Sequence, residues 1–272
     1  MTISVLMSTY YRENPDYLDA AMKSIWTEQT RKPDQIVLVE DGPLTQQLDV
    51  VVEKWKNAIG ASFTVVANNQ NKGLSYALND GLAYCKGDVV VRMDTDDLAY
   101  PARIEEEVRC LDEHPDISVV GSWIVEFVDS TDNVVSIKKA PETSEQIFRF
   151  GKKRNPVNHP SVAFRKDVIV NNGGYPHFYL FEDYCLWVTL LSKGVRFYNI
   201  QKPLLWFRVS KDMYARRGGM KYAMSELKVQ RYIHQIGYIT FYEMVRNCCM
   251  RSLGRLIPNS LRGYIYKKLL RE

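Results

Sequence analysis

Four short, almost continuously apolar segments, separated by three amphipathic ones, fill the first hundred residues and leave the chain few ways to fold. Ile3–Ser8, Gln35–Glu40, Phe63–Ala67 and Val89–Met93 read as strands buried on both faces. The first intervening segment opens with Asn14 as an N-cap and Pro15 in the first turn. Its residues Leu18, Ala21, Met22, Ile25 and Trp26 share one helical face. Leu48, Val51, Val52 and Trp55 mark a second helix, and Leu74, Ala77, Leu78 and Leu82 a third. This alternation predicts an α/β fold with a mostly parallel, doubly wound sheet. Ligands of such sheets bind beyond the carboxyl ends of the strands. The four clusters found there are Thr9-Tyr10-Tyr11-Arg12, Asp41-Gly42, Asn71-Lys72-Gly73 and Asp94-Thr95-Asp96-Asp97, all on one predicted edge.

Beyond residue 115 the pattern loosens. Ile117–Val128 and Val134–Ile137 suggest a hairpin or meander, and Ser161–Arg165, Val195–Ile200 and Leu204–Val209 suggest further strands. A helix is expected over Asp183–Ser192, with Tyr184, Trp187, Val188 and Leu191 on one face and Gly194 ending it. No internal repeat or linker-like segment interrupts the chain, so one domain is expected: residues 1–115 and 116–222 as its halves, then a basic helical tail over 223–272.

The formal net charge of +4 is too small to argue for nucleic acid, and its placement matters more. Residues 241–272 hold seven basic side chains against two acidic ones, so the rest of the chain is close to neutral. The five cysteines form no CxxC pair and no zinc-like spacing, which suits reduced thiols in a cytoplasm. The N-terminus runs directly into a strand without a basic lead, unlike a signal peptide. No apolar run approaches the length of a spanning helix.

Asp94, Asp96 and Asp97 place three carboxylates in four positions directly after a buried strand. Clustered like charges repel, and a divalent cation resolves the conflict. Oxygen ligands suit Mg²⁺ or Mn²⁺. The alternative is a solvated turn with an Asp helix cap ahead of Pro101.

Several motifs, in this order and spacing, resemble one known family. They are Ser-Val-Leu-Met-Ser-Thr-Tyr-Tyr-Arg-Glu from Ser4, the Glu40-Asp41-Gly42 turn, and Asn71-Lys72-Gly73-Leu74 followed by Ala77, Asn79 and Gly81. Arg92-Met93-Asp94-Thr95-Asp96-Asp97 and Phe181-Glu182-Asp183-Tyr184 complete the set. Together they are similar to the family-2 glycosyltransferases, inverting enzymes of the glycosyltransferase-A fold, over roughly four-fifths of the chain.

The resemblance implies a nucleotide-sugar-binding half over 1–115 and an acceptor half over 116–222. Asp41 would accept a hydrogen bond from a uracil or similar base; otherwise it is an ordinary Asp-Gly turn. Thr9, Tyr10 and Arg12 would border base and ribose, and Asn71, Lys72 and Gly73 would approach ribose and phosphates. Asp94 would contact the ribose or the metal through water, with Thr95 beside it on the donor. Asp96 would ligate Mn²⁺ or Mg²⁺ and bridge it to the diphosphate. Inversion needs one base for the attacking hydroxyl. Asp183 is the candidate and Glu182 the second, although a carboxylate there also suits a helix N-terminus.

Asn155-Pro156-Val157-Asn158-His159-Pro160-Ser161 reads as an acceptor loop, with Asn158, His159 and Asp97 as acceptor contacts; His159 could instead touch the metal, and a lone loop histidine more often does neither. Arg208, Lys211, Arg216 and Arg217 around Gly218-Gly219 suit a loop closing over a diphosphate, or a solvated basic loop. The tail suits an anionic lipid surface, or packing on the domain or in a homodimer. The specific expectation is transfer of galactose or glucose from a UDP-sugar to a lipid-diphosphate-linked sugar such as GlcNAc-diphospho-undecaprenol. The β-linkage formed would belong to O-antigen or exopolysaccharide biosynthesis, with the enzyme peripheral on the cytoplasmic face of the inner membrane. Two other functions remain to be weighed. A sugar-1-phosphate nucleotidyltransferase should show a Gly-rich loop after the first strand, and Ser8-Thr9-Tyr10-Tyr11 has none. A non-catalytic nucleotide-sugar or glycan-binding module should lack the carboxylates. GxGxxG and GxxxxGK[ST] are both missing.

Overall fold

The computed structural model describes residues 1–209 and 219–256. Four parallel strands come first: β1 (Ile3–Thr9), β2 (Gln35–Glu40), β3 (Phe63–Ala67) and β4 (Val89–Arg92). Between them lie α1 (Pro15–Met22), α2 (Gln46–Ile59) and α3 (Leu74–Tyr84). The Asn14 side chain accepts from the Asp16 amide and Pro15 starts α1, as the sequence predicts.

The second half adds β5 (Leu98–Ala99), α4 (Arg103–Glu113), β6 (Ile117–Val128), β7 (Ser130–Lys138) and α5 (Ser144–Gly151). It continues with β8 (Ala163–Arg165), α6 (Lys166–Asn171), α7 (Glu182–Ser192) and β9 (Arg196–Arg208). All strands join one mixed sheet in the order β3-β2-β1-β4-β8-β6-β9-β5, with β7 against β6. β8 is antiparallel to both β4 and β6, while β6 and β9 are parallel.

The strand period of two sorts the core into layers. Val5, Met7, Leu38 and Val91 meet Leu18 and Met22 of α1, Leu48 of α2 and Ile104 and Val108 of α4 on one face. Leu6, Val37, Val39 and Val90 meet Ala77 and Leu78 of α3 and Trp187 and Val188 of α7 on the other. A sheet covered on both faces explains the unbroken apolar runs that the sequence shows.

Two expectations shift. The two late strands form one, because Pro203 sits at a register shift opposite Trp123, where a missing amide is tolerated. Ser161 belongs to a 3₁₀ turn over His159–Ser161, and the strand begins at Ala163. Gly194 ends α7 with φ +80°, and the Val195 amide donates back to Leu190 O.

The tail begins with two further helices, α8 (Gly219–Gln235) and α9 (Phe241–Leu256). Val229 and Ile233 of α8 join the layer around α7. No described helix is long and apolar enough to cross a membrane.

Arg103 and Glu107 of α4 pair through Nε and Oε1 at 3.0 Å with both side chains fully buried. The Arg103 guanidinium also donates to Arg92 O, which ties α4 to the end of β4. Burial nevertheless pushes the Glu107 carboxyl up to about 7, so desolvation outweighs the pairing. Glu107→Ala strands a buried guanidinium and is expected to cost about 3–5 kcal/mol. Denaturant unfolding checks this, and a loss below about 1 kcal/mol would show that the site relaxes around the lone Arg103.

Candidate active site

The register of the parallel strands puts their ends level, with Thr9 opposite Glu40 and Glu40 opposite Ala67. The polar clusters therefore share one edge, and hydrogen bonds weld them together. The Asp41 amide donates to Thr9 O at 2.8 Å. Its carboxylate accepts from the Lys72 and Gly73 amides, each at 2.9 Å, which holds the Asn71–Gly73 turn against β2. A Cβ at Gly42 would lie 2.7 Å from the Asn71 amide nitrogen, and φ there is +89°, so both contact and conformation demand glycine. Each Asp41 oxygen keeps a second lone pair for a ligand.

On β1's side, Thr9 is buried with its hydroxyl unpartnered, while Tyr10 stands edge-on to Tyr11. Arg12 is exposed, and its Nε donates to the Tyr11 hydroxyl.

After β4, Asp94, Asp96 and Asp97 each offer a carboxylate oxygen, and these oxygens lie within 4.8 Å of one another. Arg92, 1% exposed, forks onto both oxygens of Asp94, with Nη1 2.8 Å from Oδ2. Asp97 is fully buried; its Oδ1 accepts from the Arg208 amide at 2.9 Å, while Oδ2 has no hydrogen-bond partner. Burial, then the charges of Asp94 and Glu13, pushes Asp96 up to about 7. Burial and its two aspartate neighbours raise Asp97 well above the carboxylate range. An orphaned buried oxygen beside two strained carboxyls fits a hard divalent cation.

Two side chains that the sequence left without a role complete this corner. Glu13 accepts from the Thr95 hydroxyl at 2.8 Å, burial raises its pKa, and it adds a fourth negative charge beside Asp96. Tyr17 lies under Arg208, whose guanidinium carbon is 3.8 Å from the ring centroid. Arg208 Nε also donates to Asp96 O and Nη1 to Asp129 O, which fixes the guanidinium beside the cluster. Lys211, Arg216 and Arg217 lie outside the described residues.

Glu182 and Asp183 open α7, where the helix dipole favours negative charge. Asp183 Oδ1 accepts from the Tyr184 amide at 2.7 Å, and Oδ2 from Asn155 Nδ2 at 2.5 Å. Burial raises Asp183, and burial plus the Asp183 charge pushes Glu182 up to about 7. The positive charge of Arg92 draws Asp96, Asp97, Glu182 and Asp183 back down. The buried Arg92 charge therefore acts on both carboxylate groups, Asp96-Asp97 after β4 and Glu182-Asp183 at the start of α7.

The block expected to meet the acceptor is arranged differently. Asn155 is the member that reaches Asp183, a contact the spacing did not reveal. Asn158 is buried, with Nδ2 2.9 Å from Ser122 O. His159 is 8% exposed, 3.1 Å from the Tyr175 hydroxyl and edge-on to Trp187. Burial holds its pKa well below the usual histidine range. Both side chains are turned inward, and Asp97 lies with the cluster.

The model of the glycosyl transferase family 2 matches residues 4–172, well over half of the chain. The chain belongs to glycosyl transferase family 2. Similarity to individual relatives extends into the tail. The chain is 39% identical to an Escherichia coli UDP-Gal:alpha-D-GlcNAc-diphosphoundecaprenol beta-1,3-galactosyltransferase, over 99% of this chain and 96% of that one. It is 35% identical to the amylovoran biosynthesis glycosyltransferase AmsE of Erwinia amylovora, over 97% and 98% of the two chains. Among solved structures, S. aureus TarS residues 1–349 in complex with UDP-GlcNAc superposes with a TM-score of 0.69. That likeness, at 18% identity over 99% of this chain and 76% of that one, concerns the fold alone. The protein is a glycosyltransferase with a single α/β domain of the glycosyltransferase-A type, as its motifs imply.

Proposed function

We propose that this enzyme transfers galactose from UDP-galactose, with inversion, to an N-acetylglucosamine diphosphate carried on a polyprenyl lipid. The observation that carries the reading is the 39% identity to the E. coli galactosyltransferase, sustained over 99% of the chain. The acceptor is lipid-borne and no described helix spans a bilayer, so the enzyme works as a peripheral protein on the cytoplasmic face of the inner membrane. Glucose is the second candidate for the transferred sugar.

In this reading Asp41 and the Asn71–Gly73 turn receive the base and ribose, with Thr9, Tyr10 and Arg12 bordering them. Asp96, with Asp94 and Asp97, holds Mn²⁺ or Mg²⁺. Such an ion, when bound, supplies positive charge for the departing diphosphate. Thr95 steadies the same turn through Glu13, and Arg208 adds a fixed cation beside it. Asp183, aimed by Asn155 and the Tyr184 amide, takes the proton from the acceptor hydroxyl. That oxygen bonds to the anomeric carbon as the bond from that carbon to the UDP oxygen breaks, and UDP leaves with the electron pair. Attack opposite the leaving group turns an α-linked donor into a β-linked product.

The test is a screen of UDP- and GDP-sugars against a synthetic GlcNAc-diphospho-lipid, with Mn²⁺, with Mg²⁺ and with chelator. A β1,3-galactoside formed from UDP-galactose and lost with chelator is expected. Glucose transfer with UDP-galactose inert would replace the sugar. No transfer from any nucleotide-sugar would overturn the reading.

A further inference from the structure

Helix α9 turns little apolar surface toward the protein and leaves more of it outward. Its stripe toward the domain is mostly polar: Glu243, Asn247 and Arg251, spaced four apart, with Met244 as the apolar side chain beside them on the core. Glu243 pairs with Lys152 Nζ at 3.2 Å, Asn247 donates to Lys152 O and Gln230, and Arg251 reaches Lys153 O and Glu226. The partners Gln230–Asn247 and Glu226–Arg251 run in opposite senses, so α8 and α9 form an antiparallel hairpin. The outward side of α9 instead carries Phe241, Tyr242, Val245 and Met250, with Phe241 64% and Tyr242 75% exposed. On α8, Met220, Met224 and Leu227 are exposed in the same way.

Charge decides between the possible occupants. The exposed positions of the described hairpin include Lys221, Lys228 and Arg231 and no carboxylate. A second copy would set cation against cation across the apolar face. An anionic bilayer accepts both features, since aromatic and aliphatic side chains enter the interface while lysines and arginines meet lipid phosphates. We infer that the outward face of the α8–α9 hairpin is a docking surface for an anionic lipid membrane. This deepens the reading of a lipid-linked acceptor and rests on it in one respect, the presence of a membrane at the workplace. The hairpin also stands on the segment that matters. Lys152 and Lys153 support α9, and Asn155, two residues on, donates to Asp183. A bilayer seated on α9 is thus one short segment away from the base.

Sedimentation with vesicles of phosphatidylglycerol and phosphatidylcholine tests the surface. The full chain is expected to bind these vesicles, to ignore phosphatidylcholine alone, and to be released by high salt. Phe241→Ser/Tyr242→Ser/Val245→Ser is expected to lower binding about ten-fold or more. UDP binding and transfer to a short-chain soluble acceptor should be unchanged in this variant. Lys228→Glu/Arg231→Glu, on exposed positions, gives a second variant with the same expected loss should the first fold poorly. Vesicle binding equal to wild type in both variants would overturn the proposal, as would a wild-type chain that ignores anionic vesicles. So would a wild-type dimer that the triple variant makes monomeric, since the face would then hold a second copy. Transfer to the soluble acceptor without vesicle binding sinks the surface alone; vesicle binding with no sugar transfer sinks the galactosyltransferase reading alone.

Discussion

Asp183→Asn is expected to cut turnover by about 10²–10⁴-fold while UDP binds as in wild type. Asparagine preserves size and can still meet the Tyr184 amide and Asn155, so the fold around α7 should hold. What it removes is the ability to take a proton. The same chemistry sets the pH profile. Burial raises Asp183, and Glu182 is pushed up to about 7, so the pair binds protons well above the ordinary carboxylate range. The protonated form cannot act as base, so kcat/KM should fall as pH drops through that range. Asp183→Asn should abolish this limb together with the activity, whereas Glu182→Gln should keep turnover within about ten-fold. Near-normal turnover in Asp183→Asn, with collapse in Glu182→Gln, would transfer the role to Glu182.

Asp96→Ala is expected to remove sugar transfer and metal-dependent UDP binding together. Substituting groups that merely orient metal ligands costs about 10–100-fold in affinity or activity, and loss of a direct ligand should exceed that. The burden on this corner is visible in the raised pKa values of Asp96 and Asp97, which share a small volume with Asp94 and Glu13. A cation relieves that repulsion. Without one, alanine also relieves it, so Asp96→Ala should be folded and no less stable than wild type. Calorimetric titration of UDP, with Mn²⁺ and with chelator, separates the cases. Tight metal-dependent binding in a folded Asp96→Ala would falsify the assignment.

Much of the edge proposed for the donor was legible because it is written in local patterns. Strands buried on both faces appear as unbroken apolar runs, and parallel order sends their ends to one edge, so the four polar clusters could be placed together from periodicity alone. Asn14-Pro15 and Gly194 marked helix ends for the same local reasons. The convergence of distant residues was not legible. Arg92 looks like any strand residue until its burial and its grip on Asp94 are seen. Glu13 and Asn155 matter because of what faces them, at Thr95 and Asp183, and neither partner is near in sequence. His159 illustrates the converse, since a histidine between prolines reads alike whether it meets a ligand or Trp187. Val195–Ile200 and Leu204–Val209 read as two strands, and the shifted register where Pro203 meets Trp123 joins them into one. The tail composition held both readings of α9, and only the polar stripe toward Lys152 shows which side packs.

The fork of Arg92 on Asp94 has a consequence for how this site can change over time. An arginine fully enclosed beside a sheet can be lost only together with the carboxylate it holds, and the carboxylate only together with the arginine. Positions 92 and 94 should therefore vary as a unit among descendants of this chain. A laboratory library that randomises Asp94 alone should yield mostly destabilised protein, and one that randomises the two together should recover folded chains, with transfer returning only where position 94 keeps an oxygen ligand for the metal.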